Sequence, residues 1–480
     1  MDHPHRPPKR LGERPQEIYS LVPDRIQQTE KGKPRSTRGL ALETPVLNRR
    51  STIASFYKLP LEERLRMVKE FASLTSEEAQ TLANGSMPIA TAQRMIENVI
   101  SIFPIPLGIA TNFLVNGRDY LVPMAIEEPS VVAAASNAAK MARPTGGFTA
   151  TSTEPVMISQ IQIVKCPSPK DAEKAILSAR KEILEKANQQ DPTLLSLGGG
   201  AKDLRVRILP SQVGIMVIAE LLVDCRDAMG ANVANTMAEA VAPMLENVSK
   251  GQARLRIISN LADKRIARAT VTVSKDALGG EDIVDGIVEA YAFAAADPYR
   301  CATHNKGVMN GVTAVCLATG NDTRAIEAGA HAYAARSGHY SPLTIWKKDS
   351  KGNLVGTIEI PAAVGIIGGV TAVHPIAKIS LKILGVKTAR ELGEVMASVG
   401  LAQNMAALRA LAAEGIQKGH MSLHARNIAA MAGAQGDLID LLADKMVAER
   451  KIRLDRAREL LLETSKSKES RAAQKKTHKA

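Results

Sequence analysis

Lys306 lies in the run Thr303-His-Asn-Lys-Gly-Val-Met-Asn-Gly311, among small and amide side chains at the head of an apolar stretch. A lysine in such surroundings would be partly buried, which is unusual for an ammonium. A lysine on an exposed surface is the plain alternative. Asp322, in Ala318-Thr-Gly-Asn-Asp322, can be a plain helix N-cap. Glu127-Glu128-Pro129-Ser130 sets two carboxylates at a strand-to-helix turn, suited to proton transfer or to capping. His420 and His424 stand one helical turn apart, a spacing that can serve a metal. The residues between them are Met-Ser-Leu rather than the interior of HExxH, and no third ligand is placed, so no metal is expected. One of these imidazoles can instead act as a general acid near neutral pH. Taken one at a time, these residues leave both readings open.

The elements that must position them follow from apolar spacing. Leu59–Leu82 and Met87–Ile102 have helical periodicity, Tyr120–Ile126 reads as a strand, and Ser130–Met141 as an Ala-rich helix. From about 155 to 259 the order is β-α-β-β-α-β. Its strands are Ile158–Val164, Asp203–Leu209, Gly214–Val223 and Arg254–Ile258, and its helices Ser168–Asn188 and Ala231–Val248. That is the ferredoxin-like pattern, read as an inserted domain. Beyond it come a strand (Arg268–Val273), helices over Asp282–Ala296, Thr303–Ala318 and Asp322–Ser337, and a strand pair, Leu343–Trp346 with Leu354–Ile360. A glycine-rich segment, Val364–Val370, follows, and from Pro375 onward the pattern is helical.

A chain of 480 residues is long enough for two or three domains. The net charge of +13 suggests a polyanionic partner, but its distribution argues otherwise. Residues 1–50 and 464–480 each carry a net +5, leaving a nearly neutral body, so no nucleic-acid partner is expected. Residues 1–50 also hold 7 of the 24 prolines and read as a disordered extension, and 464–480 as a Lys-rich tail. Cys166, Cys225, Cys301 and Cys316 form no CxxC pair and are expected to be reduced thiols. The longest uncharged apolar run, Ile360–Val373, has only 14 residues, and the N-terminal residues lack a signal-like apolar core. A cytoplasmic protein with no membrane contact is therefore expected. There is neither GxGxxG nor GxxxxGK[ST], and the glycines at 198–200, 230 and 365–369 read singly as turns.

Read together, the segments resemble a family. Glu97-Asn-Val-Ile, Asn116-Gly-Arg-Asp, Glu127-Glu-Pro-Ser, Ser196-Leu-Gly-Gly-Gly, Asp227-Ala-Met-Gly-Ala-Asn, Asp297-Pro-Tyr-Arg, His304-Asn-Lys-Gly, Thr319-Gly-Asn-Asp and Gly419-His-Met-Ser-Leu-His occur in one order. From about residue 51 to 450 the chain resembles the class II (bacterial-type) 3-hydroxy-3-methylglutaryl-coenzyme A (HMG-CoA) reductases. The family's Glu-Asn-Val-Ile-Gly ends here in Ser101, and the two basic ends have no counterpart.

The resemblance implies an α+β protein. A large helix-rich substrate domain (51–154 and 260–414) would carry an inserted ferredoxin-like dinucleotide-binding domain (155–259) and a C-terminal helical flap (415–463). It implies a catalytic set of Glu128 as proton donor, Lys306 as oxyanion clamp, Asp322 as the partner tuning Lys306, and His420 as the acid for the departing thiolate. Ser130, Asn260, Arg300 and Asn310 would meet the hydroxymethylglutaryl group. Asp227, Met229, Gly230 and Asn232 would form the nicotinamide-dinucleotide site, which accounts for the missing Rossmann fingerprint. Asp191 would meet the adenosine ribose, where a carboxylate accepts from a 2′-hydroxyl and repels a 2′-phosphate. NAD(H) is therefore expected over NADP(H), with Lys186 and Lys202 softening the preference. The partners implied are HMG-CoA or mevalonate with coenzyme A, and a second copy of the chain in a homodimer with shared active sites. The rivals are another acyl-CoA or aldehyde oxidoreductase on the same scaffold and, more remotely, a basic binding protein without catalysis.

Overall fold

The computed structural model describes residues 50–413 and 416–464, and over 416–423 the backbone alone. Among the described residues, ten strands form two sheets. The larger is ordered β2-β1-β3-β8-β10-β9, from Arg118–Ala125, Leu107–Val115, Phe148–Ser152, Ile266–Val273, Leu354–Pro361 and Thr344–Lys348. Its pairs are antiparallel except β1 with β3. The smaller is antiparallel and ordered β5-β6-β4-β7, from Gly200–Ser211, Gly214–Asp224, Val156–Val164 and Gln252–Ile258. With helices Pro169–Ser178, Arg180–Asn188 and Ala231–Ser249 packed on it, this is the split βαβ arrangement read from the sequence.

Two strands escaped the periodicity. In β1 the alternation breaks at the polar pair Thr111-Asn112, where the register shifts between Ala110 and Phe113 and Asn112 takes a positive φ of 69°. Strand β3 (Phe-Thr-Ala-Thr-Ser) is short and nearly free of large apolar residues. The expected helix over Met87–Ile102 is a correction, because only Ile89–Ala92 is helical. Ile96 and Ile100, which gave that segment its periodicity, are 65% and 97% exposed. With no surface of their own chain to pack on, they cannot sustain a helix that depends on tertiary contact. The other long pattern, Leu59–Leu82, forms two helices, Leu61–Ala72 and Ser76–Asn84, divided at Ser73 in the left-handed conformation.

The large-domain core is built by close helix packing. Helix Ala389–Ala413 lies against Pro298–Ala318, Glu281–Ala296, Val131–Ala142 and β8. At the first of these crossings a methyl added to Gly311 would meet the Val399 carbonyl oxygen at 2.9 Å, and one added to Gly400 would meet Val312 Cγ2 at 2.7 Å. Glycine at both positions lets the two backbones approach, which is what an Ala- and Gly-rich sequence with few aromatics can exploit. Among the described residues, Ala389–Ala413 is also the one helix long and apolar enough to cross a membrane, but 67% of its most apolar stretch is buried inside the fold. Helices Ile416–Met431 and Asp437–Ala448 and residues 454–464 share a separate small core around Ala429, Leu442, Met446 and Leu460. Arg456 ties it together through Glu449, Glu459 and Glu463.

Candidate active site

Strand β2 ends at Ala125, and the chain turns through Glu127-Glu128-Pro129 into helix Val131–Ala142. Glu128 Oε2 accepts from Lys306 Nζ at 2.5 Å, bringing together residues 178 apart in sequence. Glu127 is exposed and makes no such pair. Ser130 holds a positive φ of 74° and its hydroxyl makes no capping bond. Strain of this kind in a non-glycine residue is a mark of functional sites. Lys306 and Asn310 share one face of helix Pro298–Ala318, one turn apart. Arg300 lies in that helix's first turn, where Asp297 accepts from its backbone N–H at 2.7 Å.

A buried polar network holds the helix beneath Lys306. The Thr344 hydroxyl donates to Asn404 Oδ1 at 2.9 Å, and His304 Nε2 lies 2.7 Å from the same hydroxyl oxygen. The Thr344 proton is thus committed to Asn404, so His304 carries its own proton on Nε2 and leaves Nδ1 as a bare, unpartnered acceptor. Burial pushes His304 down to about 4, keeping it neutral. Asn305 accepts from Leu343 N–H and donates to the Ser341 carbonyl, both at 2.9 Å. The two residues before Lys306 are therefore anchored to β9 and the segment leading into it, while the lysine projects outward.

A second group forms where the small sheet meets the large one. Residues 225–230 connect β6 to helix Ala231–Ser249, whose N-cap is Gly230 at φ 107° with no acid in the first turn. This leaves Asp227, Met229 and Asn232 around an uncovered helix N-terminus, which suits an anionic ligand. Asp227 Oδ1 accepts from Ala389 N–H at 2.8 Å, and its carbonyl accepts from Ile366 N–H at 2.9 Å. Gly365 lies so close that a methyl there would meet Met229 N at 2.6 Å. Asn321 grips Gly365 by both backbone groups, at 2.7 and 3.1 Å. The next residue, Asp322, caps helix Thr323–Ala334 by accepting from Arg324 and Ala325 N–H, and pairs with Arg324 at 3.1 Å. Asn260, exposed in the β7–β8 connection, rests its carbonyl over Gly329 of that helix.

Within one chain Asp322 does not reach Lys306. Twelve residues of helix separate Lys306 from Ala318, about 18 Å at 1.5 Å per residue, and Asp322 lies beyond that end. The expected residues thus fall into two groups. Glu128, Ser130, Lys306 and Asn310 form one, with Arg300 at the start of the helix that carries Lys306; Asp227, Met229, Gly230, Asn232 and Asp322 form the other, with Asn260 against the helix that Asp322 caps. Asp191 lies further into the small domain, as N-cap of helix Pro192–Ser196 with Oδ1 accepting from Leu194 N–H at 2.8 Å. The Gly198–Gly200 turn links it to the second group, since Arg226 donates to the Gly198 carbonyl at 2.5 Å and Lys202 to the same oxygen at 2.7 Å. The side chain of His420 is outside the described residues, as are residues 1–49 and 465–480. All four cysteines are free thiols, and among the described residues no cluster of three or more His, Cys, Asp or Glu could hold a metal ion. Sequence reasoning missed Arg265, the grip of Asn321 on Gly365 and the role of Gly365 as a close neighbour of Met229; Asn321 lay in a quoted motif and Gly365 in a glycine-rich run, while Arg265 carried no signal.

Residues 60–425 match the family described as hydroxymethylglutaryl-coenzyme A reductase. The chain is 61% identical over 411 residues to the 3-hydroxy-3-methylglutaryl-coenzyme A reductase of Archaeoglobus fulgidus, covering 86% of this chain and 94% of that one. A probable HMG-CoA reductase of Borreliella burgdorferi is 37% identical over 360 residues, covering 74% and 82%. Among solved structures, an HMG-CoA reductase of Streptococcus pneumoniae superposes with a TM-score of 0.74 at 40% identity, covering 86% of this chain and 99% of that one. A class II enzyme of the same organism, described as bound to NADPH in open conformations, gives 0.72 at 40% identity, covering 85% and 100%. The chain belongs to the hydroxymethylglutaryl-coenzyme A reductase family, and is an oxidoreductase that acts on HMG-CoA with a nicotinamide cofactor.

Proposed function

We propose that Glu128, Lys306, Asp322 and His420 carry the interconversion of HMG-CoA with mevalonate and coenzyme A, and the Glu128–Lys306 pair at 2.5 Å is the observation that supports it most directly. The nicotinamide supplies a hydride in each of two reductions. In the first, Lys306 stabilises the oxyanion that forms on the thioester carbonyl. When the hemithioacetal collapses, His420 gives a proton to the departing thiolate. In the second, the protonated carboxyl form of Glu128 gives its proton to the aldehyde oxygen, which becomes the primary alcohol, and the carboxylate left behind is the form that pairs with Lys306. Its contact with Lys306 puts donor and cation at one oxygen. Ser130, Arg300, Asn260 and Asn310 orient the hydroxymethylglutaryl group, Arg300 meeting its free carboxylate with a planar fork. The test is steady-state turnover of Lys306→Ala and Glu128→Gln with HMG-CoA; wild-type kcat in either would remove that residue from the reaction. Higher kcat/KM with succinyl- or malonyl-coenzyme A than with HMG-CoA would favour another acyl-CoA reductase on this scaffold.

The active enzyme is a homodimer in which Asp322 of one copy faces Lys306 of the other, because the helix between them forbids the contact within a chain. The exposed Ile96, Ile100 and Phe103 supply apolar surface for that association. Residues 155–259 form the dinucleotide domain, with the loop Asp227–Asn232 and the helix behind it receiving the cofactor. NADH is the preferred form, since by the family resemblance Asp191 meets the adenosine ribose, where a carboxylate would repel a 2′-phosphate. Lys202 and Arg226, two cations converging on Gly198, support the alternative of NADPH, the form bound in the Streptococcus pneumoniae structure. Parallel oxidation of NADH and NADPH decides: a strong NADPH preference overturns the role given to Asp191. The protein works in the cytoplasm.

A further inference from the structure

Arg265 stands at the passage from the small sheet to the large one, immediately before β8, and is 4% exposed. Its guanidinium donates to the carbonyls of Ala228 and Met229 at 3.0 Å each and of Val364 at 2.5 Å. These three oxygens come from two segments, the Asp227–Asn232 loop and the stretch before Gly365, which also meet through the Ile366 N–H bond to the Asp227 carbonyl and the close approach of Gly365 to Met229. The guanidinium's bonds go to carbonyls rather than to a carboxylate, while the charges of Asp224 and Asp227 act on it without a bond. Burying a cation in this way is costly unless its donors are satisfied in a fixed geometry. A planar fork that bonds both segments at once meets that condition, whereas a lysine offers a single point. Around it, Asn321 holds Gly365 and Gly365 abuts Met229 N, so the loop is set from below by Arg265 and from the side by the residue preceding Asp322.

We propose that Arg265 is the positioning residue of the nicotinamide site, fixing the Asp227–Asn232 loop against Val364–Gly365 so that dinucleotide affinity depends on a group that never touches the dinucleotide. This rests on the reading of that loop as the cofactor site. Arg265→Met keeps an apolar stem and removes all three bonds; Arg265→Lys keeps the charge and at most part of the bonding. Arg265→Met raises the KM and the dissociation constant for NADH or NADPH at least tenfold, Arg265→Lys falls between it and wild type, and the KM for HMG-CoA stays within twofold. Should Arg265→Met fail to fold, Arg265→Lys and Gly365→Ala, which presses on the same loop, carry the test with the same split. Dinucleotide constants within twofold of wild type in the folded variants overturn the proposal, as does an equal rise in both KM values, the mark of a general structural role. Asn232→Ala separates the two readings. If it leaves dinucleotide affinity unchanged, the loop assignment fails; if it weakens affinity while the Arg265 variants do not, only the positioning role fails.

Discussion

Replacing Lys306 with Met keeps most of the stem and removes the charge that faces Glu128. Loss of one oxyanion-stabilising group costs on the order of 10²–10³ in kcat, so Lys306→Met should lose that much in HMG-CoA reduction while its circular dichroism stays wild type. Of the adjacent carboxylates, only Glu128 meets the lysine. Glu128→Gln should lower kcat by about 10²–10⁴, the usual share of a general acid, and Glu127→Gln should stay within a few-fold. The reverse order would exchange their roles. His304 gives a pH dependence. Its pKa is about 4 in the fold against about 6.5 when unfolded, so below the upper value the unfolded chain binds more protons. The stability due to its burial is complete above pH 6.5 and is lost as the pH falls toward 4, by up to ~3 kcal/mol. Urea unfolding of wild type and His304→Gln across that window should show the flatter profile in the variant.

Helix Pro298–Ala318 carries the lysine, and its seat on Ala389–Ala413 sets where the lysine points. Gly311→Ala pits two effects against each other. Alanine is the better helix former by about 1 kcal/mol, yet its methyl meets a backbone oxygen that cannot rotate away, and overpacking of this kind costs about 1–3 kcal/mol. The clash should win: the melting temperature falls by several degrees and kcat falls with it as Lys306 shifts. Much of this element was legible in the sequence. Its apolar run was clear, although it begins at Pro298 with Asp297 as cap, earlier than the periodicity indicated. Strand β1 and the false helix after Met87 were not legible, because a polar bulge hides the first and apolar residues left uncovered by their own chain imitate the second. Among site residues, Lys306 and Glu128 were named by the family resemblance, and only the fold shows them in contact. Arg265 could not be found from sequence, since one arginine beside a strand looks like a surface charge until its burial is seen.

At the scale of the molecule, the proposed division of the site residues between two copies would make activity a property of paired chains. In a two-fold dimer built from Lys306→Ala and Asp322→Ala chains, one of the two shared sites is wild type and the other doubly altered. Random mixing of these two inactive variants should restore roughly a quarter of wild-type specific activity. No recovery after co-refolding would place both residues in one chain's site. The buried indole of Trp346, the sole tryptophan in 480 residues, donates to Asn404 Oδ1 at 2.7 Å, and Asn404 also takes the Thr344 proton that fixes His304. The chain therefore carries a single tryptophan emitter wired to the helical turn that presents Lys306. Its emission, blue-shifted while that turn is seated and red-shifted once water enters, would follow the seating of Lys306 without any attached dye.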